Sequence, residues 1–403
     1  MHLRPRSAGR AALAVLGAGA LVAGWTAAAA PASAATTLFV ATNGNDANPG
    51  TQAAPLATIQ RAVALAAPGT TIVIRGGTYR LTTNVQVRTS GTAAAPITMA
   101  AFAGERPVID GDLLPASHTP LGGSIPAAQR GAIHQEASFW RYVGLEITRG
   151  PYAIYCNNCN NTTFERLVTH DNFESGLQLQ GASSNNLILN LDSFGNHDPR
   201  KNGESADGLA IKEGSGTGNV VRGARLWNNV DDGFDAFEFR SPITIENTVA
   251  WGNGVNRWNF PDFAGDGNGF KLGGGDPDPP ANHVVRNCIA FDNTAHGFTD
   301  NGNPGSLRLD RNTAYRNTRT GFDVDSSHST LTGNLAVRNA TPVALGSSST
   351  GTGNSWNVQS SWSDADLTSV SPSVITGPRA ADGSIATSTF LRPRTRPELG
   401  ARI

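Results

Sequence analysis

Five residues stand out for what their side chains could do together: Asp207, Asp231, Asp232, Asp235 and Lys271. They occur in the segments Ala-Asp207-Gly, Asp231-Asp232-Gly-Phe-Asp235 and Gly-Asn-Gly-Phe-Lys271-Leu-Gly-Gly. If the fold brings these segments side by side, four carboxylates share one patch and repel each other unless something compensates. A bound hard cation is the obvious agent, and Ca2+ takes several oxygen ligands at about 2.3–2.6 Å. Mg2+ fits less well, because it keeps its waters and is rarely held in all-protein cages. Two other readings stand beside catalytic calcium. One is a calcium that only ties neighbouring segments together; the other is a proton shared between Asp231 and Asp232, as in a hydrolase pair.

Lys271 separates these readings. A lysine beside an aspartate is ordinarily a surface ion pair of little worth. Facing a divalent cation, its ammonium form is disfavoured and its pKa should fall. It could then act as a general base. The cation could meanwhile hold a substrate carboxylate and stabilise charge developing next to it. Together these suit removal of the C5 proton of a uronic acid and loss of its C4 substituent, a β-elimination.

Internal repeats supply the elements that must position these groups. An apolar strand ends in an aromatic or aliphatic residue, followed by one more residue and an asparagine. The pattern closes on Asn172, Asn196, Asn229, Asn253, Asn293, Asn317 and Asn339, at steps of 24, 33, 24, 40, 24 and 22 residues. A base period near 24 with two longer coils is what a solenoid with loop insertions shows. A second column follows each asparagine: Gly176, Gly208, Gly233, Gly269, Gly297 and Gly321, each before Leu or Phe. Each coil therefore holds at least two strands, and long 3.6-period stretches are missing. The expected fold is an all-β, right-handed parallel β-helix with an N-terminal helical cap.

Aligned on the glycines, Asp207 and Asp232 fall one place before Gly, and Asp235 and Lys271 two places after it. The position after Gly is apolar and should face inward, so Asp235 and Lys271 should face solvent. The two long coils owe their excess to His197–Ala206 and Gly254–Gly267, which would emerge beside the aspartates and Lys271. These loops bring Arg200, Lys201, Arg257, Trp258 and Phe260, types that pair with carboxylates and stack on sugar rings. Arg257 and Lys201 are the candidate substrate contacts; the alternative is solvated loop decoration.

Most other conspicuous residues have bland explanations. The asparagines should form a structural ladder. Trp227, Trp251, Phe291 and Tyr315 share a column and should stack on one another rather than on sugar. Thr58 can cap a short helix from Ile59 to Ala66 that covers the open end of the solenoid. Residues 35–345 form the expected solenoid, and residues 346–403 a tail packing along or capping it.

Cys156 and Cys159, in Cys-Asn-Asn-Cys, are close enough to bridge in an oxidising compartment. Half a zinc site would need a second ligand pair, which the sequence lacks. Cys288 reads as a small buried apolar residue. Residues 1–34 read as an export leader: Arg4, Arg6 and Arg10, an apolar Ala/Leu-rich run, then Ala32-Ser33-Ala34. No later stretch is long and apolar enough to span a bilayer. The leader holds three of the 31 basic residues and none of the 32 acidic ones, so the remainder is acidic by about four. That argues against nucleic acid and leaves room for an acidic polymer in a local positive groove.

The aspartate and lysine segments, with the opening Asn43-Gly-Asn-Asp46-Ala-Asn-Pro49-Gly-Thr, resemble pectate lyases of polysaccharide lyase family 9. The resemblance runs from about Thr37 to Ala340. It implies that Asp207, Asp231, Asp232 and Asp235 bind a catalytic Ca2+ and that Lys271 is the base. With the leader making the protein a secreted one, it is expected as a monomer acting on an acidic plant cell-wall polysaccharide, polygalacturonate first. The family also contains rhamnogalacturonan lyases, which makes such a polymer the alternative substrate. A non-catalytic, calcium-stabilised surface or adhesion β-helix is the reading from another class.

Overall fold

The turn before each repeat asparagine decides the architecture. In the computed structural model, which describes residues 36–403, the residue ahead of each of these asparagines has positive φ. Asp171, Asn228, Asp292, Arg316 and Arg338 lie at 53°, 56°, 56°, 52° and 56°, and Gly195 and Gly252 at 65° and 62°. This left-handed residue swings the chain out of one strand towards the next. Gly, Asn and Asp adopt it at least cost. Each following asparagine is buried or nearly so, and its side chain points along the stack. Asn172, Asn196, Asn229, Asn253, Asn293 and Asn317 each donate Nδ2 to Oδ1 of the next, at 2.8–3.1 Å. The same Oδ1 atoms accept the backbone N–H of the preceding asparagine.

The glycine column exists because of this ladder. A Cβ at Gly233 would stand 2.7 Å from Gly269 O and 2.9 Å from Asn253 Nδ2. At Gly269 it would meet Gly297 O at 2.6 Å and Asn293 Nδ2 at 3.0 Å. Only glycine lets the backbone pack that closely against the buried amides.

Among the described residues the strands form three parallel sheets of twelve, ten and ten strands. One coil runs Asn219–Arg222, Arg225–Trp227, Phe234–Asp235. The next runs Ile243–Glu246, Val249–Trp251, Phe270–Lys271. Each strand pairs with its counterpart one coil away, at the roughly 4.8 Å spacing of paired strands. This is a parallel β-helix with three strands per coil. The third strand is a short apolar run that neither repeat column marks. The solenoid continues to Thr350–Thr352, which pairs with Thr330–Thr332, past the boundary expected at residue 345.

Apolar residues fill the interior. Phe270 stacks on Phe298 at 4.8 Å and Phe298 on Phe322 at 4.9 Å, all fully buried. On the aromatic column Phe194, Trp227, Trp251 and Phe291 stack nearly parallel at 4.3, 4.9 and 5.6 Å. Tyr315 is in register with Phe291 but joins no such stack. Phe390 of the tail meets both rings edge-on, and Tyr315 Oη donates to Asp364 at 2.9 Å. The tail is also tied down by Arg379, which donates to Asp192, and by Arg225, which donates to Ile375 O and Gly377 O.

At the other end the helix Ile59–Leu65 covers the first coils, burying Ile59, Ala62 and Val63. Thr58 Oγ1 accepts from Arg61 N at 3.1 Å, and Asp46 accepts from Ala57 N, Thr58 N and Thr58 Oγ1. The opening motif thus builds the cap. Cys156 and Cys159 are joined by a disulfide, and Cys288 is a buried free thiol. No helix among the described residues is long and apolar enough to cross a membrane. The leader expected over residues 1–34 lies outside the described residues.

Asn253→Ala tests the ladder. It removes the acceptor of Asn229 and the donor to Asn293 Oδ1 and Leu226 O. Stranding buried polar groups costs about 1–3 kcal/mol each. The variant should therefore unfold at clearly lower urea concentration, and an unchanged midpoint would contradict a structural role.

Candidate active site

Register brings the five residues together. On one sheet Leu209–Ser215, Phe234–Asp235 and Phe270–Lys271 are successive strands. Ala210 pairs with Asp235, and Asp235 with Lys271. Asp207 and Asp231–Asp232 lie just ahead of these strands, where the asparagine turn delivers the chain. The four aspartates share one patch with Lys271 beside them.

Burial is deeper than the outward-facing pattern suggests. Asp235 is 2% and Lys271 9% exposed, not open to solvent. The second long loop is one cause: it brings Asp266, whose Oδ2 accepts from Lys271 Nζ at 2.7 Å. Asp266 N in turn donates to Asp231 Oδ1 at 2.6 Å. Lys271 Nζ also stands 3.5 Å from Asp232 Oδ2 and 5.6 Å from the Phe237 ring centre. A second lysine, Lys212, donates to Asp207 Oδ2 and Asp235 Oδ2, each at 2.9 Å. Asn268 holds Asp232 Oδ1 with its backbone N at 2.6 Å and its Nδ2 at 2.9 Å.

Five carboxylates thus face two ammonium groups. Asp207, Asp232 and Asp235 present oxygens within 4.8 Å of one another, as do Asp231, Asp232 and Asp266. Oxygens around one Ca2+ are up to about 5 Å apart, twice the metal–oxygen distance. Asp232, common to both groups, has a buried Oδ2 without a hydrogen-bond partner. A donor set of close, buried, surplus carboxylates with one orphaned oxygen fits a hard divalent cation.

Electrostatics agree. Burial, then the charge of its acidic neighbours, pushes Asp231 well above the carboxylate range. Burial does the same to Asp232, and Asp207 adds to it against the pull of Lys271. Asp207 is pushed up to about 6 by burial and Asp235, against the pull of Lys212. Asp235 alone is held low, because Lys212 and Lys271 outweigh its burial. Burial would lower the Lys271 ammonium, but Asp235, Asp232, Asp231 and Asp266 overcome it and push it up. The lowered pKa expected from the sequence therefore depends on a cation cancelling those carboxylates.

The loops differ from expectation in detail. Arg200 is committed to buried Glu174 and to Gly123 O. Lys201 Nζ lies 3.3 Å from Ser205 Oγ, and Arg257 donates to Gly252 O and Asn228 Oδ1. Neither Lys201 nor Arg257 donates to a site carboxylate. Trp258 stacks on His197 at 5.2 Å, and Ala264 N donates to Asn202 O, so the two insertions form one wall. Sequence reasoning missed Lys212 and Asp266. Lys212 was within reach, since it stands two places past Ala210 on the same face of its strand. Asp266 lies in an insertion without periodicity and gives no such signal.

Fold and site together define a parallel β-helix with a cation-type aspartate cluster and a lysine on one sheet. Residues 38–339 match the family described as Pel9A-like, right handed beta helix region, and the chain belongs to that family. It is 50% identical to pectate lyase PEL9 of Emericella nidulans, over 92% of this chain and 95% of that one. It is 32% identical to pectate lyase L of Dickeya chrysanthemi, over 90% and 84%. Among solved structures it is similar to pectate lyase Pel9A, with TM-score 0.77 and 33% identity over 89% of each chain. It is similar also to a rhamnogalacturonan lyase, with TM-score 0.76 and 25% identity over 91% of this chain and 99% of that one.

The carboxylate cluster sets a pH prediction. Asp207, Asp231 and Asp232 have folded pKa values raised above the ordinary value of 3.8. Their stabilisation is therefore complete below about pH 4 and is lost as pH rises through about 6 and beyond. Asp235, held low, opposes this only near pH 4 and below. With chelator present, the melting temperature should fall between pH 5 and pH 8. Added Ca2+ should remove most of that fall, and a calcium effect independent of pH would contradict the assignment.

Proposed function

We propose that this protein is a secreted, calcium-dependent pectate lyase that cleaves polygalacturonate by β-elimination, with Lys271 as general base. The observation that carries it is the placement of Lys271: one strand from Asp235, 3.5 Å from Asp232 and against a buried cluster of surplus carboxylates. A carboxylate pair alone would serve a hydrolase; a lysine beside a cation site serves proton abstraction. The names of the similar proteins support the substrate, and the Cys156–Cys159 bridge supports an oxidising, extracellular setting.

Asp207, Asp231, Asp232 and Asp235 would hold the ion. Calcium, when bound, would fix a uronate carboxylate and stabilise negative charge on the adjacent carbon. With those aspartates neutralised as ligands, Lys271 loses three of the four charges that keep it protonated, Asp266 alone remaining, and releases its proton more readily. Its free amine then takes the C5 proton, the C5–H electron pair forms the C4–C5 double bond, and the C4–O bond breaks. The departing oxygen takes a proton from water. A rhamnogalacturonan lyase reading is supported by the similarity to the solved structure of such an enzyme; it keeps the base and cation and changes the polymer.

Lys271→Arg is the sharpest test, because a guanidinium stays protonated and cannot accept the proton. Formation of unsaturated product from polygalacturonate should fall by at least 10²–10⁴-fold, the typical cost of losing a general base. Wild-type turnover should climb towards alkaline pH and vanish with chelator. An Arg variant close to wild type at saturating Ca2+ would remove Lys271 from the chemistry. Faster turnover of rhamnogalacturonan than of polygalacturonate would instead move the substrate assignment.

A further inference from the structure

We infer that Lys212 is a built-in competitor for the cation, an ammonium that binds Asp207 and Asp235 together in the metal-free enzyme and must yield when the ion enters. The inference rests on the calcium reading above. Lys212 lies two residues past Ala210 on the strand Leu209–Ser215, so it leaves the same face as the row Ala210, Asp235, Lys271. The residue is 8% exposed, and its amine reaches no carboxylates but those two.

The oxygens it holds are the ones a cation needs. Asp207 Oδ1 already accepts from Asp232 N at 3.3 Å, and Asp235 Oδ1 from Phe237 N at 2.9 Å. Their Oδ2 atoms are the pair without a backbone donor, and both are held by Lys212 Nζ at 2.9 Å. Asp207 Oδ2 has one further partner, the Ser175 hydroxyl at 3.1 Å, which can rotate away. An ion bridging Asp207, Asp232 and Asp235 therefore meets a positive charge already seated on two of its ligands. It must displace that charge, which weakens its hold. The same charge steadies a cluster that would otherwise repel itself. Lys212 thus sets a calcium threshold, whereas Lys271 works on substrate.

Lys212→Met keeps the length and apolar stem and removes the charge. Calorimetric titration with Ca2+ alone, without substrate, should give a Kd at least about tenfold tighter than wild type. A lysine that merely shaped the pocket would lose affinity on removal. Binding that is equal or weaker in the variant would overturn the inference and leave the calcium reading standing; no binding by wild type would end both. Amine-reactive footprinting of the wild-type protein gives an answer that does not depend on the variant folding. Lys212 should label slowly in chelator and several-fold faster with saturating Ca2+, and equal labelling would overturn displacement.

Discussion

The buried asparagine ladder is the interaction on which the rest of the molecule depends. A strand slipped by one residue would carry Asp235 and Lys271 to the inner face, among Phe234 and Phe270, where neither charge could be solvated. The ladder prevents this. Each amide side chain bonds both the amide and the backbone N–H of a neighbouring asparagine, so coils can stack in one register only. Buried amides are expensive to strand, which makes a wrong register costly well beyond its lost apolar contacts. The glycines complete the constraint by admitting the backbone against those amides.

That rigid register explains how the insertions can be long without disturbing the site. The loops that lengthen the 33- and 40-residue steps leave and rejoin the solenoid between fixed points: Asn196 and Asn229 bond across one, Asn253 and Asn293 across the other. Extra length then costs mainly loop entropy, which grows slowly. The loops use their freedom to pack on each other through His197 and Trp258, and one of them delivers Asp266 to Lys271.

What the sequence made legible follows the same division. The two repeat columns carried the register, and with it the adjacency of Asp235 and Lys271, because a solenoid turns sequence period into spatial neighbourhood. The third strand was hidden because neither repeat column follows it. It is a short run such as Ile243–Glu246, and the asparagines at this position, Asn186 and Asn219, occur in too few coils to show a period. Tyr315 shared a column but not its stack, since the partner that diverts it, Phe390, comes from the tail. Arg257 and Lys201 had suitable chemistry, yet charge type alone says nothing about direction, and their polar contacts turn elsewhere. Asp266 could only be found in three dimensions.

The repeat and its insertions accordingly supply different parts of the site. Lys271 and the four aspartates sit on or beside strands whose spacing the ladder holds, a rigid setting of the kind proton abstraction needs, because small displacements of reacting groups are costly. The joined insertions wall the site with residues that are not bound by the repeat. Those loops can change in sequence without moving Lys271 relative to Asp232 and Asp235. The proximity of Asp266 marks the one place where the two parts meet. A loop side chain there is ion-paired to Lys271 itself, so the wall built by the insertions touches the residue that the register holds in place. A shift of this loop therefore shifts the charge around Lys271.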